Sequence, residues 1–150
     1  MGYVVFAQTG PAVLPLADIL ARGRAHSPLD LHLLEPSRIE DVRDAARIRV
    51  SAFEISAEVR LAVRPVTPDD VVIARVAERR GNASGMGELA ARCPALWRVE
   101  PEPLAPEWLI LELCALLAFA ALGPVLPPDA ATLLGVRSAR ERAAKLREKI

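Results

Sequence analysis

Residues 52–63 read AFEISAEVRLAV, and their alternation decides the fold class. Phe53, Ile55, Ala57, Val59, Leu61 and Val63 fall on one side of an extended chain. Glu54, Ser56, Glu58 and Arg60 fall on the other, and Arg64 continues the polar set. Successive side chains of a strand point to opposite faces. The period therefore predicts a strand with one face on a core and one in water, which is the habit of antiparallel sheets. Pro65 stops it. On this register Phe53 belongs to the core, and Phe53→Ala is expected to cost roughly 3 kcal/mol.

Upstream, Leu29 to Leu34 alternates well enough for a second strand, and Tyr3 to Ala7 is a short apolar run that reads as a central strand buried on both faces. A helix is expected over about 13–24. Ser37 and Glu40 have the spacing of a capping box, in which each side chain satisfies a free backbone N–H at a helix start. That predicts a helix to about Arg47, burying Ile39, Val42 and Ala46. Downstream, Thr67-Pro68-Asp69-Asp70 is a helix start: a capping hydroxyl, a proline in the first turn, and carboxylates at the positive end of the dipole. The helix ends near Gly81. A short helix over about 88–92 and a short strand over about 96–99 follow.

Pro101, Pro103 and Pro106 make a stiff connector. Beyond it the pattern is helical: 106–122, then a short helix from Pro127-Pro128-Asp129 to Gly135, then a last helix from Ser138 to Ile150. The architecture read from these signals is α+β. A small mixed sheet of three to four strands with helices on one face occupies residues 1–100. A three-helix segment over 101–150 packs on that core or on a partner. The leading strand–helix–strand unit leaves α/β as the alternative.

The chain has 150 residues, 52% of them hydrophobic, with nineteen basic residues against nineteen acidic ones. Each third of the chain is also neutral, so no overall field selects nucleic acid, an anionic membrane or an acidic substrate. Seventeen of the basic residues are Arg. This suits the codon usage of a GC-rich bacterial genome and makes Arg excess a weak phosphate signal. Cys93 and Cys114 are too few for a disulfide framework. No charged segment leads into a cleavable apolar stretch, and Phe6 stands where a myristoylation signal has Ser or Thr. The expected compartment is the cytoplasm.

Candidate chemistries are few. Gly81 to Gly87 spells G-x-x-x-G-x-G, which can bring N–H groups against a phosphate when a buried strand enters and a long helix leaves. Here a helix enters and Pro94 cuts the exit short, so a connector is the plainer reading. Asp30, His32 and Glu35 form D-x-H-x-x-E, which on a strand splits across two faces and does not make a metal site. Cys93 needs a His to activate it, and only His26 and His32 exist. No residue is assigned a catalytic, cofactor or metal role.

Residues 108–122 (WLILELCALLAFAAL) are apolar all round except Glu112. Fifteen helical residues span about 22 Å, short of a bilayer core of about 30 Å. Such a helix belongs in a core or at an interface, with Trp108 and Phe119 as anchors beside Trp97. At the C-terminus Val136, Ala139, Ala143, Leu146 and Ile150 make a narrow seam of two heptads. Arg137, Arg140, Arg142 and Lys145 give that helix a basic flank. Residues 130–138 resemble the helix-and-turn part of a helix-turn-helix, although Glu141 falls where a buried aliphatic residue belongs.

The reading that follows is a non-enzymatic bacterial interaction module: a small regulator, adaptor or immunity-type subunit. It would act through protein contacts and form a homodimer through Trp108, Phe119 and the C-terminal seam, outside the membrane. The alternatives are a DNA-binding regulator using Arg137, Arg140, Arg142 and Lys145, and a small enzyme or nucleotide binder using the Gly81–Gly87 loop.

Overall fold

The computed structural model describes residues 2–10 and 13–149. The chain is α+β, with a six-stranded sheet in which every pair is antiparallel. The strands are β1 (Tyr3–Ala7), β2 (Asp30–Glu35), β3 (Ala45–Ala52), β4 (Ile55–Pro65), β5 (Ala95–Pro101) and β6 (Val125–Leu126), in the order β2-β3-β4-β5-β1-β6. The helices are α1 (Leu16–His26), α2 (Pro68–Gly81), α3 (Met86–Ala91), α4 (Glu107–Ala121) and α5 (Val136–Glu148). The sheet is larger than the three to four strands expected, and with no parallel pair among the described residues the α/β alternative falls away.

The largest correction lies at 37–54. Only a single 3-10 turn, Ile39–Asp41, forms where a helix to Arg47 was expected. Residues 45–52 are strand β3, with Ala46, Ile48, Val50 and Ala52 buried and Ala45, Arg47, Arg49 and Ser51 turned outward. Alanine and arginine are good helix formers, which hides this strand in the sequence. Ladders to β2 on one side and β4 on the other override that weak preference.

β3 and β4 are joined by a two-residue turn, Phe53-Glu54, closed by the pair Ala52 and Ile55. Both turn residues have positive φ, 54° and 67°, the type I′ pattern that favours Asn-Gly. Phe53 is therefore 61% exposed at a hairpin tip instead of buried, and Ile55 is exposed too. The rest of the expected face, Ala57, Val59, Leu61 and Val63, is buried. Phe53-Glu54→Asn-Gly is expected to stabilise the fold by about 1 kcal/mol, because both residues leave a conformation that L side chains resist. Urea denaturation reads it, and a loss of stability would mean that the Phe53 contacts outweigh the backbone strain.

One face of the sheet packs on α4, with α1 and α5 against that helix. This core takes Tyr3, Val5 and Ala7 of β1, and Phe6 packs on the opposite face with Leu96, Ala74, Ala77, Ala90 and Leu133. β1 is thus buried on both faces, as its apolar run implies. α2 begins with a capping box: the Asp70 N–H donates to Thr67 Oγ1, and the Thr67 N–H donates to the Asp70 carboxylate at 2.8 Å. Arg64 adds a bidentate pair at 2.8 and 2.9 Å, whose hydrogen bonds hold the Asp70 carboxyl down to about 2.

α4 is buried nearly all round, including Trp108, Leu109, Ile110, Leu111, Leu113 and Leu117. It lies between the sheet and α5, and no helix among the described residues is long and apolar enough to cross a membrane. The short helix expected from Pro127 to Gly135 does not form. Ala130 has φ 52°, the Ala131 N–H donates to Asp129 Oδ1 at 3.1 Å, and Val125 and Leu134 exchange backbone hydrogen bonds. The C-terminal segment therefore holds two helices and a strand in place of three helices, and it shares the core of the sheet.

Candidate functional site

The residues singled out from the sequence do not converge on one site. In the C-terminal seam, Ala139 and Ala143 are buried, and Val136 and Leu146 pack partly on the same core. Alanines let α5 approach α4 closely, so Ala139 and Ala143 are covered by their own chain and are not free for another copy. Ile150 lies outside the described residues. Trp108 is buried beneath Phe53, with ring centroids 6.2 Å apart, and the Arg147 guanidinium sits 4.4 Å from the Phe53 ring centre.

The basic flank is dispersed. Arg137 pairs with Glu141 at 3.0 Å, Arg142 turns toward Tyr3, and Lys145 lines a shallow groove with Asn82 and Thr132. Arg140 and Arg147 face Glu112, whose carboxyl is pushed up by burial and lowered by those two cations. The first helix of a helix-turn-helix is missing, since 127–135 is turn and bridge.

The Gly81–Gly87 loop has a different occupant from the one its glycines suggest. The Glu78 carboxylate accepts the Gly85 N–H at 2.7 Å and the Gly87 N–H at 3.2 Å. An internal anion thus fills the cradle, and the helix that leaves it, α3, has only six residues. Asp30 and His32 share an exposed face 3.4 Å apart, whereas Glu35 pairs with Arg47 at 3.1 Å. Among the described residues no group of three metal-ligating side chains comes together. Cys93 is buried, its Sγ lies 3.3 Å from the Leu89 carbonyl, and burial pushes its thiol up, the reverse of an activated nucleophile. Cys114 is fully buried and pushed up for the same reason.

Two other places bring residues together. The first is an apolar groove of about 180 Å³ at the corner where α4 ends and α5 begins. Met86, Leu89, Phe119, Leu122, Pro124 and Val136 line it, so the expected anchor Phe119 meets the seam residue Val136 here. Leu122 closes α4 in the left-handed conformation, φ 59°, with its N–H on the Ala118 carbonyl at 2.8 Å. Its own carbonyl accepts from Gln8 Nε2 at 2.7 Å, and its side chain is 62% exposed. The sequence offers Gly123 for a helix end of this kind, and only the structure shows Leu122 taking the position.

The second is a cleft of about 350 Å³ at the start of α4. It collects Tyr3, Glu102, Glu107, Asp129 and Arg142. These residues are spread from one end of the chain to the other, so no local spacing announces them. Burial pushes the Tyr3 phenol well up, and Glu107, Cys114 and Asp129 add to the shift while Arg142 opposes it. The open face of β2–β5 carries a row Glu35, Arg47, Arg60, Glu100, in which Arg47 and Arg60 are direct cross-strand neighbours.

No protein-family model, curated protein or solved structure matches this chain.

Proposed function

We propose that this protein is a non-enzymatic interaction module of the regulator or adaptor kind, and that it associates with a second copy of itself through the α4–α5 corner. The observation that carries the reading is Leu122. The left-handed conformation costs a leucine about 1–2 kcal/mol, and its side chain is left largely in water. Glycine or asparagine would suit both the backbone and the solvent better. Leu122 stands on the rim of an apolar groove floored by Leu89, Phe119 and Val136. About a two-fold axis beside that rim, each Leu122 enters the groove of the other copy, the self-complementary contact that closed symmetry requires. A contact of this size belongs at the low end of specific interfaces, and association at micromolar concentration is expected.

The test is Leu122→Asn, followed by sedimentation velocity and thermal unfolding. The variant is expected to be monomeric at concentrations where the parent associates. Its monomer fold should gain about 0.5–1 kcal/mol, because Asn tolerates positive φ, or a few degrees in Tm. A parent chain that stays monomeric into the high micromolar range rules the dimer out. Association that survives the substitution moves the interface elsewhere.

A further inference from the structure

We propose that the cleft at the start of α4 is a binding site for a small organic monocation, a protonated primary amine on an apolar body. Tyr3 forms its floor. The residue is only 6% exposed, and its hydroxyl makes no hydrogen bond among the described residues. Buried hydroxyls ordinarily have a partner. This one is not sealed in: among the described residues, the wholly enclosed side-chain polar atoms without a partner are the indole N–H groups of Trp97 and Trp108. The Tyr3 hydroxyl instead faces the cleft, with Glu107, Asp129 and Arg142 as its charged neighbours.

The character of the cleft selects a donor ligand. Its wall includes Pro101, Pro103, Pro127 and Pro128. Proline has a carbonyl but no N–H, so these four residues offer an anion no backbone donor. Three carboxylates, those of Glu102, Glu107 and Asp129, face one guanidinium, that of Arg142. None of the four is in an ion pair among the described residues. Glu102 Oε2 accepts from the Glu58 N–H at 3.3 Å and Asp129 Oδ1 from the Ala131 N–H at 3.1 Å. Among the described residues the Glu107 carboxylate has no hydrogen bond. An ammonium brings three donors and one positive charge to the Tyr3 oxygen and two carboxylates. Arg142 disfavours a second positive charge. The volume, about 350 Å³, lies in the range of small-molecule pockets, and the proline rings with Ile110 and Leu111 supply the apolar walls.

The experiment is an NMR titration near neutral pH with 2-phenylethylamine, set against 3-phenylpropionate, which carries an anion on a similar body. The amine is expected to saturate and to shift resonances of Tyr3, Glu107 and Asp129, while the acid does not. Glu107→Gln and Tyr3→Phe should each weaken the amine by about tenfold, the effect of losing one hydrogen bond to a charged group. Glu107 is exposed at the start of α4, so its variant tests the site without disturbing the core. Failure of the amine to saturate, equal or tighter binding of the acid, or parental affinity in Glu107→Gln overturns the assignment. The cleft and the α4–α5 groove share no lining residue, so this result is independent of self-association.

Discussion

Replacing Gly123 with alanine is expected to destabilise the fold by about 3 kcal/mol or more, at or beyond the upper end of overpacking effects. A Cβ built there falls 1.9 Å from the Phe6 carbonyl oxygen and 3.3 Å from Cys93 Sγ. The obstacle is backbone, so no rotamer change relieves it. Phe6 belongs to β1, which is held between β5 and β6, and its N–H donates to the Pro124 carbonyl at 3.0 Å. Moving β1 away would open both ladders. Gly10 is the control, since nothing among the described residues lies within 4 Å of a Cβ built there, and Gly10→Ala should change stability by less than about 0.5 kcal/mol. Urea denaturation of both variants decides it. Equal small effects would mean that the chain does not pass so close to β1 after α4.

The second large effect separates two readings of the β3–β4 hairpin. Ile48→Ala is expected to cost about 2–5 kcal/mol, because the side chain is fully buried in the main core beside Val50, Val59 and Leu61. Phe53→Ala should cost under about 1 kcal/mol, mostly the loss of its contact with Arg147. From the alternation of 52–63 alone the order would be reversed, with Phe53 as the core anchor. Chemical denaturation of the pair settles the register, and a costly Phe53→Ala with a silent Ile48→Ala would restore the continuous strand.

That reversal shows where local pattern stops being informative. Val59, Leu61 and Val63 were legible because a strand that is half buried leaves its period in the side chains whatever it pairs with. Residues 53 and 54 share the period but not the conformation. A two-residue turn keeps the parity of the strands it joins, so Phe53 looks like one more inward residue until the partner strand is known. That partner, β3, is written in alanine and arginine, whose preference is helical, and pairing on both edges decides against it.

The functional surfaces divide in the same way. Phe119 was readable as an apolar anchor and Val136 as a seam residue, but the left-handed end at Leu122 was not, because Gly123 next to it offers the ordinary helix stop. Their meeting in one groove depends on how α5 returns along α4. The Tyr3 cleft had no sequence signature, because the packing of β1 against α4 brings together residues 3, 102, 107, 129 and 142. The glycines at 81–87 marked a loop that needs room, yet only the folded chain shows Glu78 filling it.

By itself, then, the sequence determined what short-range chemistry controls. It specified β1 as a doubly buried strand, the Thr67 cap of α2, the end of α4 near residue 122, and a central helix too short for a bilayer. Tertiary structure alone decided the six-stranded order, the conversion of 45–52 to a strand, the loss of the 127–135 helix, and the burial of the C-terminal seam. These depend on contacts between residues far apart in the chain. The free energy of such contacts, from apolar burial and paired backbone, exceeds the fraction of a kcal/mol by which a residue prefers one local conformation over another.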